Sequence, residues 1–246
     1  MATSSSRVTS PLVPTRNPSP GARGTEYGTP PLRHIVWDWN GTLLDDTGLT
    51  VRAAMASLAA IGHPMTLTVD RWRQIATRPI SDVYEALVHA PLTPDQWQVV
   101  EDVWLETYVS GLPDVRLNPM AMIALDAAAS HGATQSIVSL HLQSELRDHV
   151  AALGIADRFT HISGSHGDWV GARPSKAIEV ATQLADLGIG ASEALMIGDM
   201  ADDGREAGEA GVAVVLVPTG DTSRERLVAS GFPVADSLIE AVRAHL

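Results

Sequence analysis

An α/β fold is predicted: a Rossmann-like parallel sheet flanked by helices, with an all-helical segment inserted after the first strand. Three observations carry the prediction. The run LRHIVWD is apolar, contains β-branched residues and is closed by Asn-Gly, the pattern of a buried strand ending in a turn. Residues 48–117 show helical spacing and turn signals without a strand pattern. From residue 118 onward short apolar runs alternate with helical patterns, and strands apolar on both faces belong to parallel sheets covered by helices.

The elements can be taken in chain order. After Asp45, Asp46 and Thr47 the period changes, and Val51, Ala54, Met55, Leu58 and Ile61 fall on one helical face with Gly62 as the stop. TPDQWQVVEDVWLETYVSG opens with Thr93 as cap and Pro94 in the first turn; its stripe is Trp97, Val100, Trp104 and Tyr108, and Gly111 ends it. NPMAMIALDAAASHG repeats that grammar with Asn118, Pro119 and Gly132. Then come strand TQSIVSL, helix SELRDHVAALGI, a short strand around FTHIS, a helix over 175–187, strand ALMIGD, a helix over 203–210 and strand VAVVLVP.

Composition bounds what such a chain does. With 246 residues, 45% of them hydrophobic, and no cysteine, it can bury a full core without disulfides, and a cytoplasmic globular protein is expected. A thiolate zinc site is excluded. The net charge is −12, with four Arg against one Glu in the first 33 residues, which leaves −15 on the remainder. Such a body repels nucleic acid and anionic membranes, so an anionic ligand must be held by a metal or by a few placed cations. Residues 1–32 are rich in Ser, Pro, Gly and Thr and read as a disordered tail. No signal peptide or membrane-length apolar run is present. The organisation expected is therefore a tail at 1–32, an α/β core at 33–47 and 118–246, and a helical insert at 48–117. The oligomeric state is not encoded in any pattern.

Ligands on parallel sheets bind at the carboxyl ends of strands. Asp38 follows the first strand, Ser139 closes TQSIVS, and Asp199 follows ALMIG with Asp203 four residues on. Lys176 opens the helix between the last two. It is the sole Lys against 16 Arg, which argues against a chance surface charge. Each feature has an ordinary reading: an Asn-Gly turn, a capping serine, acids at a helix start, a solvated cation. Together, in this order, they make three hard oxygen donors, a hydroxyl and an ammonium at one rim. That set suits Mg²⁺ and a phosphate group, with Asp38 able to act as nucleophile.

IVWDWNGTLLDD, Ser139, Lys176 and MIGDMADDGREAGEAGV resemble the four ordered motifs of the haloacid dehalogenase-like hydrolases, in particular the phosphoglycolate-phosphatase-like branch with a helical cap. The resemblance spans about residues 33–220 and implies an HAD-like core under that cap. It implies a Mg²⁺-dependent phosphatase acting on a small phosphorylated metabolite. By this resemblance Asp38 is the nucleophile, and Asp38, Asp199 and the Asn40 main-chain carbonyl hold Mg²⁺ with Asp203 in support. Ser139, Lys176 and Thr42 would bind the phosphoryl group.

Two positions depart from the family pattern. The third motif reads ARPSK, so that Arg173 precedes Pro174 and Lys176 follows three residues later; Lys176 is favoured because a compact ammonium suits a cramped phosphate site. Asn40 stands where such phosphatases carry an acid-base Asp. General acid-base help is worth about 10² to 10⁴-fold, so turnover is expected to be slow, better for good leaving groups, and raised by Asn40→Asp. The alternative is a non-catalytic phospho-ligand binder or regulatory protein. A lysine-free insert argues against phosphonate cleavage, Asp199 and Asp203 against dehalogenation, and Asn40 against a phosphomutase. His63, Arg78 and His89 are candidate proton or substrate contacts from the insert. Trp39 is expected to wall the site, and His141, His161 and His166 are read as polar loop residues.

Overall fold

The computed structural model describes residues 31–165 and 176–245. Arg173, His166 and nearly all of the N-terminal tail lie outside the described residues. β1 (His34–Trp37) is followed by α1 (Thr47–Ala60), α2 (Val69–Ile75), α3 (Ile80–Val88) and α4 (Pro94–Gly111), with no strand among them. Then come α5 (Ala121–Ser130), β2 (Thr134–Leu142), α6 (Gln143–Ala152), β3 (His161–Ser165), α7 (Lys176–Leu187), β4 (Ala194–Gly198), α8 (Ala201–Glu209), β5 (Ala213–Leu216), α9 (Arg224–Ala229) and α10 (Leu238–Arg243).

The five strands form one parallel sheet in the order β3-β2-β1-β4-β5, so the first strand lies at its centre. Alternation along β1 explains the burial. Ile35 and Trp37 join Ile137, Leu195, Ile197 and Leu238 in a cluster on one face, while Val36 joins Val138, Val180, Met196 and Leu227 on the other. Both faces are covered, which is why these strands read as continuous apolar runs. Trp37 is in register with Ile137 of β2 and Ile197 of β4. The residues just beyond those positions therefore emerge side by side at one rim.

The helices after β1 pack in two directions. Val51, Ala54, Leu58, Trp72, Tyr84 and Val100 form a cluster of their own, whereas Leu49, Ala53 and Tyr108 belong to the cluster beneath the sheet. α1 and α4 thus bridge the helical insert to the sheet.

Three local differences are seen. α5 starts at Ala121 and not at Pro119; ahead of it the Asn118 side chain accepts from the Met120 N–H at 2.9 Å and closes a turn. β2 runs on to Leu142, with a register irregularity against β3 between Val138 and Leu142. Ser139 therefore lies inside a strand, beyond its last pair with β1. His141 and His161 are strand residues and not loop residues, and His141 is buried. Finally α2, α9 and α10 each open on a capping hydroxyl, Thr68, Ser223 and Ser237.

Candidate active site

Asp38, Asn40, Ser139, Lys176, Asp199 and Asp203 line one cleft at the carboxyl end of the sheet. Each arrives for a local reason. Asp38 continues β1, its N–H held by Ile197 O at 2.9 Å. Asp203 sits in the first turn of α8 and accepts from the Met200 N–H at 3.0 Å, a favourable place for an acid at a helix start. Gly41 adopts φ +72° and, like Gly220, lies so close to the Asp199 carboxylate that a Cβ on either would collide with it. Asp199 also accepts from the Asp221 N–H at 2.6 Å.

Lys176 is the electrostatic centre. Its Nζ donates to Asp38 Oδ1 at 2.7 Å and Asp203 Oδ1 at 2.6 Å, and all three side chains are buried. Burial opposes the lysine charge, but Asp203 and Asp38 more than offset it and raise its pKa, so the ammonium persists. Burial pushes the Asp38 carboxyl up to about 6 against the pull of Lys176. Asp199 is raised well above the usual carboxylate range by burial and by the charges of Asp38, Asp203 and Asp221.

These residues fit a divalent cation. Asp38, Asp199 and Asp203 each offer an oxygen within 4.8 Å of the others, all buried. With every group ionised, three carboxylates against one ammonium leave a surplus of two negative charges, and Mg²⁺ would neutralise it using oxygen donors of the type it prefers. The cleft has room for about 40 Å³, enough for an ion and a few waters.

Asn40 borders the cleft with its amide oxygen toward Ser139, whose Oγ donates to it at 3.2 Å and accepts from the His141 N–H at 3.0 Å. Thr42 is fully buried, and its hydroxyl stands 3.5 Å from both Asp38 Oδ2 and Asp199 Oδ1. One expectation is corrected here. Trp39 does not wall the site. Its side chain is fully buried in the core cluster beneath the sheet, edge-on to His149 at 5.8 Å, because the residue between Asp38 and Asn40 projects to the opposite side of the turn. Of the insert candidates, Arg78 borders the cleft, whereas His63 and His89 are exposed and do not.

Other participants had no clear signal in the sequence. Asp221, in the loop after β5, borders the cleft with its carboxyl pushed up to about 6, by burial first and then by Asp46. The same loop is clasped by the insert: Arg73 donates to Gly220 O at 2.8 Å and Thr219 O at 3.1 Å, while Arg226 donates to Ala76 O at 2.6 Å and Arg73 O at 3.0 Å. Asp46 and Tyr108 stand behind Asn40. The sequence shows Asp46 only as a second acid after a turn, and Tyr108 only as one position of an apolar stripe.

No curated protein matches the chain in sequence. Similar solved structures include a predicted phosphoglycolate phosphatase from Haemophilus somnus, with 19% identity, TM-score 0.71, and 89% of this chain and 100% of that one covered. A haloacid dehalogenase-like family hydrolase from Streptococcus pneumoniae gives 21% identity, TM-score 0.73, and coverage of 87% and 99%. CbbY from Rhodobacter sphaeroides in complex with phosphate gives 19% identity, TM-score 0.63, and coverage of 85% and 96%. At these identities the likeness establishes a shared fold. The sequence profile of the haloacid dehalogenase-like hydrolases matches residues 35–217, which takes in the first strand, the helical insert and the rim carrying Asp38, Asp199 and Asp203; the chain belongs to that family.

Proposed function

We propose that the chain is a Mg²⁺-dependent phosphatase of a small phosphorylated metabolite, working through an aspartyl phosphate on Asp38, with residues 48–117 as a cap over an α/β core at 33–47 and 118–246. The observation that carries this reading is the buried Asp38 carboxylate, hydrogen-bonded to Lys176 and flanked by Asp199 and Asp203 at a strand-end cleft. In the first step an Asp38 oxygen attacks phosphorus, the bond to the leaving oxygen breaks, and that oxygen takes its proton from water. In the second, water attacks the same phosphorus, the bond to Asp38 breaks, and the water proton leaves with the phosphate. Lys176 and Ser139 stabilise charge on the phosphoryl oxygens, which builds up without any proton transfer by the protein.

Asp38, Asp199, Asp203 and the Asn40 main-chain carbonyl would hold Mg²⁺, which supplies charge stabilisation at the transferring group. A neighbouring structure, CbbY, is described with phosphate and, in a variant, with xylulose-1,5-bisphosphate; both are phosphorylated ligands of the class proposed. A small phosphorylated molecule is the partner expected here as well. Among the described residues no helix is long and apolar enough to cross a membrane, and a cysteine-free chain is compatible with a cytoplasmic setting.

Asn40 favours a second reading, a phospho-ligand binder that has lost chemistry. One experiment separates them. Metal-dependent release from p-nitrophenyl phosphate, abolished by Asp38→Asn, supports the enzyme; binding of phosphate with no release in any metal supports the binder.

A further inference from the structure

An asparagine amide has two N–H donors and one oxygen acceptor. In Asn40 both donors are engaged behind the cleft: Nδ2 lies 2.8 Å from Asp46 Oδ2 and 2.8 Å from Tyr108 Oη. The oxygen faces Ser139 on the cleft side. The reverse orientation would set an amide oxygen against a carboxylate oxygen at hydrogen-bond distance, so the network fixes which way the amide points. Asp46 is itself buried and accepts three donors: the Gly41 N–H at 2.7 Å, Asn40 Nδ2, and the Tyr108 hydroxyl at 2.5 Å. Burial raises the pKa of the Asp46 carboxyl, and the donors from Tyr108, Asn40 and Gly41 oppose that shift. Tyr108 comes from α4, so the insert supplies part of this support.

We propose that Asp46 and Tyr108 are positioning residues that hold Asn40 as a one-way hydrogen-bond acceptor toward the cleft. Before substrate binds, the Asn40 oxygen takes its hydrogen from Ser139. When Ser139 turns its hydroxyl to a phosphoryl oxygen, the Asn40 oxygen is released and accepts from the water that attacks the aspartyl phosphate. Asn40 orients that water without removing its proton, which departs on the phosphate. This rests on the phosphatase reading, and it alters the effect expected of restoring the acid. Asn40→Asp alone would set a second carboxylate 2.8 Å from Asp46 with one tyrosine hydroxyl between them, so it is not a simple gain. Exchanging the two, Asn40→Asp with Asp46→Asn, reverses the donor direction and satisfies the same positions.

The test is a double-mutant cycle on the full-length protein in Mg²⁺: wild type, Asn40→Asp, Asp46→Asn and the exchanged pair. Melting temperature, and kcat and KM for p-nitrophenyl and phenyl phosphate, are measured for each. Each single variant is expected to melt several degrees lower, with kcat down by about tenfold or more and KM within about twofold. The exchanged pair is expected to recover the melting temperature and to exceed wild type on phenyl phosphate, the poorer leaving group, by about tenfold. Tyr108→Phe should lower kcat with KM unchanged. Additive melting shifts, or Asn40→Asp alone raising turnover as much as the exchanged pair, would overturn the proposal. Wild type without metal-dependent release would instead defeat the phosphatase reading, while the melting cycle still decides whether Asp46 orients Asn40.

Discussion

The Lys176 ammonium lies 2.7 Å from Asp38 and 2.6 Å from Asp203, so one buried cation serves two buried carboxylates. Removing it leaves both acids without a counter-charge, and breaking a buried pair in this way costs about 3–5 kcal/mol. Lys176→Met is expected to lower the unfolding free energy by about that amount in EDTA, measured by urea denaturation, and to recover part of it in Mg²⁺. Lys176→Arg should not restore turnover, because a planar guanidinium cannot replace a compact donor between two carboxylates. Wild-type stability in Lys176→Met would mean that the pairing, and with it the choice of Lys176 over Arg173, is mistaken.

Asp199 has the opposite problem, since its neighbours Asp38, Asp203 and Asp221 are all acids. Without metal, Asp199→Asn relieves that repulsion, and its melting temperature in EDTA is expected to equal or exceed that of wild type. With metal the order reverses. A cation at 100 times its Kd stabilises wild type by about 2.7 kcal/mol, a rise of several degrees, whereas Asp199→Asn should show little rise and no metal-dependent turnover. Equal Mg²⁺-induced shifts in the two proteins would place the cation elsewhere.

Three rim residues were legible in the sequence because Asp38, Ser139 and Asp199 each stand at the end of an apolar run, and sheet register does the rest: Trp37 pairs with both Ile137 and Ile197, so the residues one or two further along the three strands converge. The support behind Asn40 was not legible. Asp46 lies six residues further along and Tyr108 sixty-eight, in an insert whose packing against the sheet has no periodic signature. Trp39 shows the same limit from the other side. Its place between two site residues pointed to the cleft, but a large apolar ring is stabilised by roughly 1.5–3 kcal/mol or more on full burial, and the turn at Gly41 lets it reach the core. The Arg73 and Arg226 clasp rests on guanidinium groups reaching main-chain carbonyls, which no side-chain pairing rule anticipates.

Arg78 reaches the cleft from the insert, 3.7 Å from Asp202, and is about a third exposed. This partly solvated cation, with a long ion pair to Asp202 and the Asp221 and Glu206 carboxylates also in its field, can turn to a second anionic group on a substrate. Arg78→Ala is expected to raise KM about tenfold for a substrate bearing a carboxylate or second phosphate, while p-nitrophenyl phosphate, which has neither, keeps its KM. Screening a panel of phosphorylated metabolites with both proteins checks this. An unchanged KM for the best substrate of the panel would remove Arg78 from substrate recognition.

His34 provides a prediction about stability that does not depend on the site. It is fully buried on β1, with Nδ1 2.7 Å from the Thr134 hydroxyl and Nε2 2.8 Å from the Ser136 hydroxyl, and burial, followed by the charge of His161, lowers its pKa to about 4. In the unfolded chain the ring titrates near 6.5. Between these values the unfolded state binds the additional proton, so the stability contributed by the neutral ring is present above about pH 6.5 and is lost as pH falls toward 4. His34→Asn has no such titration. The melting temperature of wild type is therefore expected to exceed that of His34→Asn at pH 7.5, and the gap to narrow steadily between pH 6.5 and 4.5. Because both proteins share the acidic cleft, its own titration cancels in the difference. A gap that stays constant or widens over that range would mean that His34 is protonated in the folded chain and that the hydroxyls of Thr134 and Ser136 accept from it rather than share a neutral ring.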